Sequence, residues 1–117
     1  MNNTKKNKIL VIDDEVSITS SLKRTLELSG YQCCVANCGR DALRMLRDDN
    51  ALDLVITDIR LPDISGIEIL DIVRIKYPYL PVIMITGYAS IESTKEAIRK
   101  GAHDYLPKPF TTGALLN

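Results

Sequence analysis

Acidic, hydroxyl and ammonium side chains stand directly after several apolar runs of this 117-residue chain. Asp13 and Asp14 follow one aliphatic run, Asp58 ends a second, Thr86 ends a third, and Lys108 follows a further apolar stretch. If these runs are parallel strands of one sheet, their carboxyl ends lie at the edge where ligands bind in open α/β sheets. The sequence therefore predicts that three carboxylates, a hydroxyl and an ammonium meet in one crevice.

This set of side chains favours a particular ligand chemistry. Three like charges in one crevice repel each other and raise the pKa of a carboxyl group unless a cation neutralises them. Oxygen ligands without a neighbouring His or Cys suit Mg²⁺, which keeps several waters and binds a phosphate oxygen. Each residue alone has an ordinary explanation, because Asp commonly caps helices and Thr is common in strands. Their convergence predicts Mg²⁺, with Mn²⁺ able to replace it, and a phosphoryl group.

The elements that must hold these residues alternate between strand and helix. Continuous aliphatic runs are typical of strands covered on both faces, and apolar residues at helical spacing lie between them. Strands are predicted at Lys8–Ile12, Tyr31–Ala36 near an edge, Asp53–Asp58, Pro81–Thr86 and His103–Leu106. Helices are predicted at Val16–Ser29, Arg40–Asp49, a segment after the loop Leu61–Gly66, and Ser90–Lys100. This order predicts a doubly wound α/β domain with five parallel strands.

Three glycines mark helix ends in this pattern. Gly30 and Gly101 follow the first and fourth predicted helices, where glycine commonly forms the C-terminal cap. Gly66 precedes the third helix and is expected to supply backbone dihedrals that other residues disfavour.

Composition restricts the remaining possibilities. The 15 basic and 15 acidic side chains leave no excess positive charge for direct nucleic-acid binding. The apolar runs fall far short of the roughly 20 residues that cross a bilayer, which predicts a cytoplasmic protein with no membrane span. Cys33, Cys34 and Cys38 fit neither a disulfide framework nor a zinc site, so reduced thiols are expected, with Cys38 the candidate for reactivity. Residues 1–117 are predicted to form one domain, and Thr111–Asn117 is predicted to be the truncated last helix of a longer protein.

Several segments together resemble the receiver domains of bacterial two-component response regulators. They are Ile12-Asp13-Asp14-Glu15, Asp58 with Leu61-Pro62-Asp63-Ile64-Ser65-Gly66, Thr86-Gly87, and Gly101 to Phe110. The resemblance covers essentially the whole chain and implies a flavodoxin-like, CheY-like sheet in the strand order 2-1-3-4-5. The turn Thr86-Gly87-Tyr88-Ala89 looks most like receivers of the nitrogen-regulation (NtrC-like) transcription activators.

The resemblance implies a role for individual residues. Asp58 corresponds to the phosphoacceptor, and Asp13, Asp14, Asp58 and the backbone carbonyl of Arg60 correspond to the Mg²⁺ ligands. The phosphoryl-binding groups would be the Thr86 hydroxyl, the Lys108 ammonium and the backbone N–H groups of Ile59 and Gly87. The remaining implied features are switch residues Thr86 and Tyr105, a cis peptide bond before Pro109, and Arg60 and Tyr88 as modulators of phosphate lifetime.

The same resemblance implies partners and a signalling cycle. A sensor histidine kinase would donate the phosphoryl group, the chain would promote only its own phosphorylation and slow dephosphorylation, and phosphorylation would favour a homodimer. An output domain absent from this chain would regulate transcription. The predicted fourth helix has few apolar contacts, chiefly Ile91, Ala97 and Ile98, so we expect it and the Tyr105 strand to move on phosphorylation.

Two alternatives stay open from the sequence. One is a receiver that serves as an interaction module without phosphate. The other is a magnesium-dependent phosphatase of the haloacid-dehalogenase type, which usually carries a second Asp two residues after its nucleophile. Arg60 occupies that position, and no substrate cap is present.

Overall fold

The computed structural model describes residues 7–49, 51–87 and 91–108. Its strands are β1 (Lys8–Ile12), β2 (Gln32–Ala36), β3 (Leu54–Asp58), β4 (Val82–Thr86) and β5 (Asp104–Pro107). Its helices are α1 (Val16–Leu28), α2 (Gly39–Asp48), α3 (Gly66–Lys76) and α4 (Ile91–Arg99). No helix in these ranges is both long and apolar enough to span a bilayer. The predicted alternation of strand and helix is confirmed.

All five strands form one parallel sheet in the order β2-β1-β3-β4-β5. This confirms the predicted order and places β2 at an edge. The register pairs Ile12 with Thr57 and Asp58 with Ile85, so β1, β3 and β4 end at the same level. The residues that follow these strands are therefore brought to a common edge of the sheet.

Both faces of the sheet are buried. On one face, Ile9, Val11 and Ile56 pack against Leu22 and Leu26 of α1. On the other face, Leu10, Ile12, Val55 and Met84 pack in one cluster with buried residues of α2, α3 and α4, namely Ala42, Leu46, Ile69, Leu70, Val73 and Ala97. Successive strand residues point to opposite faces, so a strand covered on both sides must be apolar throughout. The aliphatic runs seen in the sequence follow from this burial.

The glycine caps predicted at the ends of the first and fourth helices are confirmed. Gly30 and Gly101 have φ angles of 96° and 100°, in the region that favours glycine, as expected for C-terminal caps. The three cysteines are free, and burial raises the pKa of Cys33 to about 11 against the opposing charge of Lys23. Cys33 is therefore a structural thiol at neutral pH, whereas the reactivity of Cys38 stays a prediction.

The expected role of Ile98 in the fourth helix is wrong. Ala97 is fully buried, but the Ile98 side chain is 49% exposed. Adjacent residues of a helix point about 100° apart, so a helix that directs Ala97 at the sheet turns Ile98 toward solvent. The side chain of Ile91 and the predicted helix at Thr111–Asn117 lie outside what the structure describes.

The reason for glycine at position 66 also differs from the prediction. Within the described residues, Gly30 and Gly101 are the glycines with positive φ, so Gly66 has ordinary helical dihedrals. A Cβ at this position would instead collide with the carbonyl oxygen of Asp58 and lie 2.9 Å from its carbonyl carbon. The Gly66 N–H also donates to the Ile59 carbonyl at 2.8 Å. Glycine is needed because the first turn of α3 lies directly against the end of β3.

This contact predicts the effect of a Gly66→Ala substitution. The obstructing atoms belong to the backbone and cannot rotate away, so we expect the free energy of unfolding to fall by roughly 2–3 kcal/mol. Gly87→Ala is the matched control, because Gly87 has no positive φ and, within the described residues other than its chain neighbours, no atom lies within 4 Å of the position that an added methyl group would take. Its unfolding free energy should stay the same or rise by up to about 1 kcal/mol. Urea unfolding of both variants measures this, and equal losses would contradict the close-contact explanation.

Candidate functional site

Four sequence-predicted residues meet at the carboxyl edge of the sheet. Asp13 directly follows β1, Asp58 is the last residue of β3, Thr86 is the last residue of β4, and Lys108 directly follows β5. The backbone N–H of Lys108 donates to the Thr86 carbonyl at 2.7 Å, which fixes the start of this last loop against β4. The parallel register therefore produces the juxtaposition that the sequence predicts.

The carboxylates of Asp13, Asp14 and Asp58 form a compact cluster. Each offers one oxygen, and these oxygens all lie within 4.8 Å of one another. Asp13 is fully buried and Asp58 is 5% exposed, whereas Asp14 is exposed. The cluster is thus a crevice with two buried acids at its base and one acid at its opening.

Lys108 supplies the ammonium of this crevice. Its Nζ lies 2.6 Å from Asp13 Oδ2, 3.0 Å from Asp58 Oδ2 and 3.3 Å from Glu15 Oε1. The lysine side chain is 12% exposed, so these interactions are little screened by solvent. Removing the ammonium would leave the buried carboxylates of Asp13 and Asp58 without this counter-charge, which makes Lys108 integral to the cluster.

The electrostatics of Asp58 and Lys108 reflect this crowding. Burial raises the pKa of Asp58, and the Asp13 charge acts in the same direction, while Lys108 and the Arg60 N–H oppose the shift. Burial acts to lower the pKa of Lys108, but the carboxylates of Asp13 and Asp58 outweigh it and hold that pKa above its usual range. The ammonium is therefore charged at neutral pH, and the crevice keeps an excess of negative charge.

The donor set fits a hard divalent cation. Asp13 Oδ2 is buried and accepts no hydrogen bond within the described part of the chain, although the ammonium faces it at 2.6 Å. A buried carboxylate oxygen in this state can accept a further cationic partner. All three clustered ligands are carboxylates, which Mg²⁺ prefers over softer donors. The Arg60 backbone is also close, because its N–H donates to Asp58 Oδ1 at 3.1 Å.

Two residues without an assigned role in the sequence also hold the Asp13 loop. The Glu15 N–H donates to Asp13 Oδ1 at 2.9 Å. The Asn37 amide donates to the Asp13 carbonyl at 2.8 Å and to Thr19 Oγ1 at 3.1 Å. Asn37 therefore ties the loop after β2 to the loop after β1. A polar residue immediately after a predicted strand was the available signal for Asn37.

Asp63 joins the loop after β3 to the start of α2. Its Oδ1 accepts the Gly39 N–H at 2.7 Å, and its Oδ2 accepts the Arg40 N–H at 2.8 Å. These backbone N–H groups hold the pKa of Asp63 below its usual range. Cys38, the residue that precedes α2, makes no side-chain capping bond. Asp63 therefore caps this helix from a distant loop, a role that the sequence did not reveal.

The structure does not test the roles predicted for the other site residues. The Ile59 N–H donates to the Ile85 carbonyl at 3.2 Å, so the sheet uses it in this conformation. Gly87 is exposed just after β4, and Tyr105 is half-buried against the core. Tyr88, Pro109 and the peptide bond before Pro109 lie outside the described residues. Their predicted roles stay predictions.

Comparison with known sequences identifies a family and several similar proteins. A family model for the response regulator receiver domain matches residues 9–117. The response regulator protein FleR of Pseudomonas aeruginosa is 37% identical over 110 residues, which are 94% of this chain and 23% of FleR. The DNA-binding transcriptional regulator NtrC of Proteus hauseri is 37% identical over 105 residues, which are 90% of this chain and 22% of NtrC. The chain thus spans less than a quarter of the length of these relatives.

Solved structures show the same similarity. A CheY-like receiver domain protein of Methanospirillum hungatei has a TM-score of 0.91 and 34% identity, over 96% of this chain and 89% of that one. The beryllofluoride-activated NtrC4 receiver domain dimer has a TM-score of 0.88 and 37% identity, over 93% and 89%. A response regulator of Burkholderia pseudomallei, solved with a phosphorylated aspartic acid and a calcium ion, has a TM-score of 0.88 and 30% identity, over 95% and 65%.

The crowded charges predict that an Asp58→Asn variant is more stable than the natural chain when EDTA removes divalent cations. The raised pKa means that the fold disfavours the charged carboxylate, so we expect the unfolding free energy of the variant at pH 7 to exceed that of the natural chain. The gain should vanish below pH 3.8, the ordinary pKa, because the acid is then neutral in both folded and unfolded chains.

Urea unfolding across this pH range provides the measurement. Asp48→Asn is the control, since Asp48 is exposed and pairs with its neighbour Arg47 at the surface. Its unfolding free energy should change by less than about 0.5 kcal/mol. A destabilised Asp58→Asn variant at pH 7 would show that the ion pair with Lys108 outweighs the burial of charge.

Proposed function

Because the chain belongs to the response regulator receiver domain family, we propose that it is a phosphoacceptor switch in which Asp58 receives a phosphoryl group from a sensor histidine kinase. The observation that carries this proposal is the position of the Asp58 carboxylate. It lies 3.0 Å from the Lys108 ammonium and within the 4.8 Å cluster formed with Asp13 and Asp14. A nucleophile, an acidic metal-binding set and a cation for the incoming phosphoryl group therefore share one crevice.

Asp13, Asp14, Asp58 and the Arg60 backbone carbonyl would hold Mg²⁺ in this proposal. The ion would neutralise negative charge at the site during phosphoryl transfer. Asp14 at the opening is exposed to solvent, which would supply the water ligands that Mg²⁺ commonly retains. Asn37 and Glu15 stabilise the Asp13 loop and thereby keep the site formed before a ligand arrives.

The transfer step follows from the contacts of Asp58. A carboxylate oxygen of Asp58 attacks phosphorus, a P–O bond forms, and the P–N bond of the kinase phosphohistidine breaks. The electron pair of that bond leaves with the imidazole nitrogen. Hydrogen bonds from the Arg60 N–H and the Lys108 ammonium orient the attacking carboxylate. Lys108 can then turn from Asp58 Oδ2 to a phosphoryl oxygen, a charge-assisted contact that keeps its buried charge paired.

The phosphorylated state would engage groups on β4 and the loops beside it. The buried Thr86 hydroxyl and the Gly87 N–H would donate to phosphoryl oxygens, and the Ile59 N–H would do so after leaving the Ile85 carbonyl. Movement of Thr86 would draw in the half-buried Tyr105 of the neighbouring strand β5 and shift α4. The face formed by α4 and β5 would then control dimerisation or an output domain, in keeping with the relationship to NtrC.

Two solved relatives support the proposal. The Burkholderia pseudomallei protein contains a phosphorylated aspartic acid together with a calcium ion, and the activated NtrC4 receiver is a dimer. One of the two open alternatives is a receiver that acts as an interaction module without phosphate. The crowded acids and the paired lysine favour the phosphoacceptor, because an interaction module gains nothing from buried like charges.

Phosphorylation by a small donor tests the proposal directly. Incubation with acetyl phosphate and Mg²⁺ should add one phosphoryl group to the intact mass of the chain. Asp58→Asn should abolish this gain because it removes the nucleophile, and EDTA should abolish it because it removes the cation. Asp53→Asn, just before the opposite end of β3, is the matched control and should be phosphorylated as the natural chain is. A folded protein that binds Mg²⁺ and gains no mass, even from a phosphorylated histidine kinase, would contradict the proposal.

The same mass measurement, followed over time, addresses the lifetime of the phosphate. The exposed Arg60 lies two residues beyond Asp58, where it can shield the phosphoryl group from water. Arg60→Ala should shorten the half-life of the phosphorylated chain, and an unchanged half-life would remove this role. The equivalent proposal for Tyr88 is tested by Tyr88→Ala.

Hydrogen exchange tests the proposed movement of α4 and β5. Phosphorylation should change the exchange protection of residues 91–106, because Thr86 and Tyr105 alter the packing of this region. Protection of β1 and of the buried face of α1 should stay constant, since their contacts lie on the opposite side of the sheet or in its centre. Equal protection of residues 91–106 in both states would contradict a switch at this face.

A further inference from the structure

A groove lies between α2 and α3, and the proposed phosphorylation does not use it. Its volume is about 340 Å³. Leu43, Ile72 and Tyr77 are half-buried and contribute apolar surface to its floor. Its rim is cationic and consists of Arg40, Arg44, Arg47 and Lys76, all exposed. An apolar floor within a positively charged rim is a combination that recognises amphipathic, acidic ligands.

The charges of the rim are only partly balanced. Arg44 pairs with Asp41 at 3.3 Å, and Arg47 pairs with Asp48 at 3.1 Å, both at the exposed surface of α2. In the described ranges, no carboxylate lies within ion-pair distance of Arg40 or Lys76. Because the whole chain is electrically neutral, the positive charge here is local to this face. Two cations are thus available to an incoming acidic partner without loss of an existing ion pair.

The spacing of the arginines indicates the shape of that partner. Arg40, Arg44 and Arg47 stand at positions i, i+4 and i+7 of α2, which places them on one face over about 10 Å. Carboxylates at i, i+4 and i+7 of a second helix have the same repeat. The groove also runs between two helices, and it offers no sheet edge to which a strand could add.

Other occupants fit the groove less well. A nucleic acid backbone would meet Asp41 and Asp48 beside the arginines and would leave the apolar floor without a partner. The chain's own segments 1–6 and 109–117 contain no acidic residue, so neither offers complementary charge. The charge pattern therefore points to a different polypeptide.

We propose that the groove between α2 and α3 docks an acidic amphipathic helix of a partner protein. Carboxylates on one flank of that helix pair with Arg40, Lys76 and the other rim cations, and its apolar residues cover Leu43, Ile72 and Tyr77. This binding site is separate from the Asp58 crevice, so the inference is independent of whether Asp58 is phosphorylated.

A titration followed by nuclear magnetic resonance tests the inference. The probe is an amidated synthetic peptide of about 15 residues, a length that supports a helix, with glutamates at i, i+4 and i+7 and leucines on the adjacent face. Added to the ¹⁵N-labelled 117-residue chain, it should shift amide resonances of α2 and α3 in particular. The double variant Arg40→Gln with Lys76→Gln should weaken binding about tenfold, because it removes two ion pairs.

Matched controls decide between this site and nonspecific attraction. Lys95→Gln with Arg99→Gln removes two exposed cations from α4 and should change the affinity by less than about twofold. A peptide with glutamine in place of glutamate should bind at least about tenfold more weakly. Equal binding of the two peptides, equal effects of the two double variants, or shifts centred outside α2 and α3 would overturn the inference. So would tighter binding of the same face to phosphatidylglycerol vesicles or to a second copy of the chain.

Discussion

Like charges held together at the end of a parallel sheet are the constraint on which this structure depends. Neighbouring parallel strands lie about 4.8 Å apart, so acidic residues at the ends of adjacent strands are held close together. Asp13 and Asp58 are buried there, and one ammonium lies between them. The surrounding loops are correspondingly well fixed. Asn37 bonds to the Asp13 loop, Lys108 bonds to β4, and α3 begins against the backbone of β3. A less rigid frame would let the acids separate and relieve their repulsion.

Much of the fold and part of the site could be predicted from the sequence. Apolar runs and helical spacing are local signals, and they placed the strands and helices because burial on both faces of a parallel sheet requires them. The gathering of Asp13, Asp58 and Lys108 was predicted from parallel strand direction together with the strand order usual for this architecture. The strand order came from a resemblance to receivers, since periodicity does not specify which strands are neighbours.

The remaining features could not be predicted because they depend on contacts between distant segments. Asn37 and Asp13 are 24 residues apart, as are Gly39 and Asp63, and no local pattern indicates that the two members of either pair contact each other. From the sequence, Gly66 was explained by unusual backbone dihedrals, whereas glycine is needed there because a Cβ would collide with the Asp58 carbonyl. The prediction that Ile98 is among the chief apolar contacts of α4 was wrong for the same reason. A short helix with two adjacent apolar residues does not reveal which one faces the sheet, and of this pair Ala97 is the buried one.

The bond between Asp63 and the start of α2 has a consequence for how such domains can be recombined. The first amides of α2 are satisfied by a carboxylate that arrives 24 residues later, on the loop that follows β3. A chimera that takes α2 from one receiver and this loop from another would separate the helix from its cap. Chimeras that take residues 38–66 from a single receiver preserve both α2 and the Asp63 cap of this helix. This stretch is therefore the smallest transplantable unit of that side of the domain, and its ends, rather than those of α2 alone, are the natural crossover points.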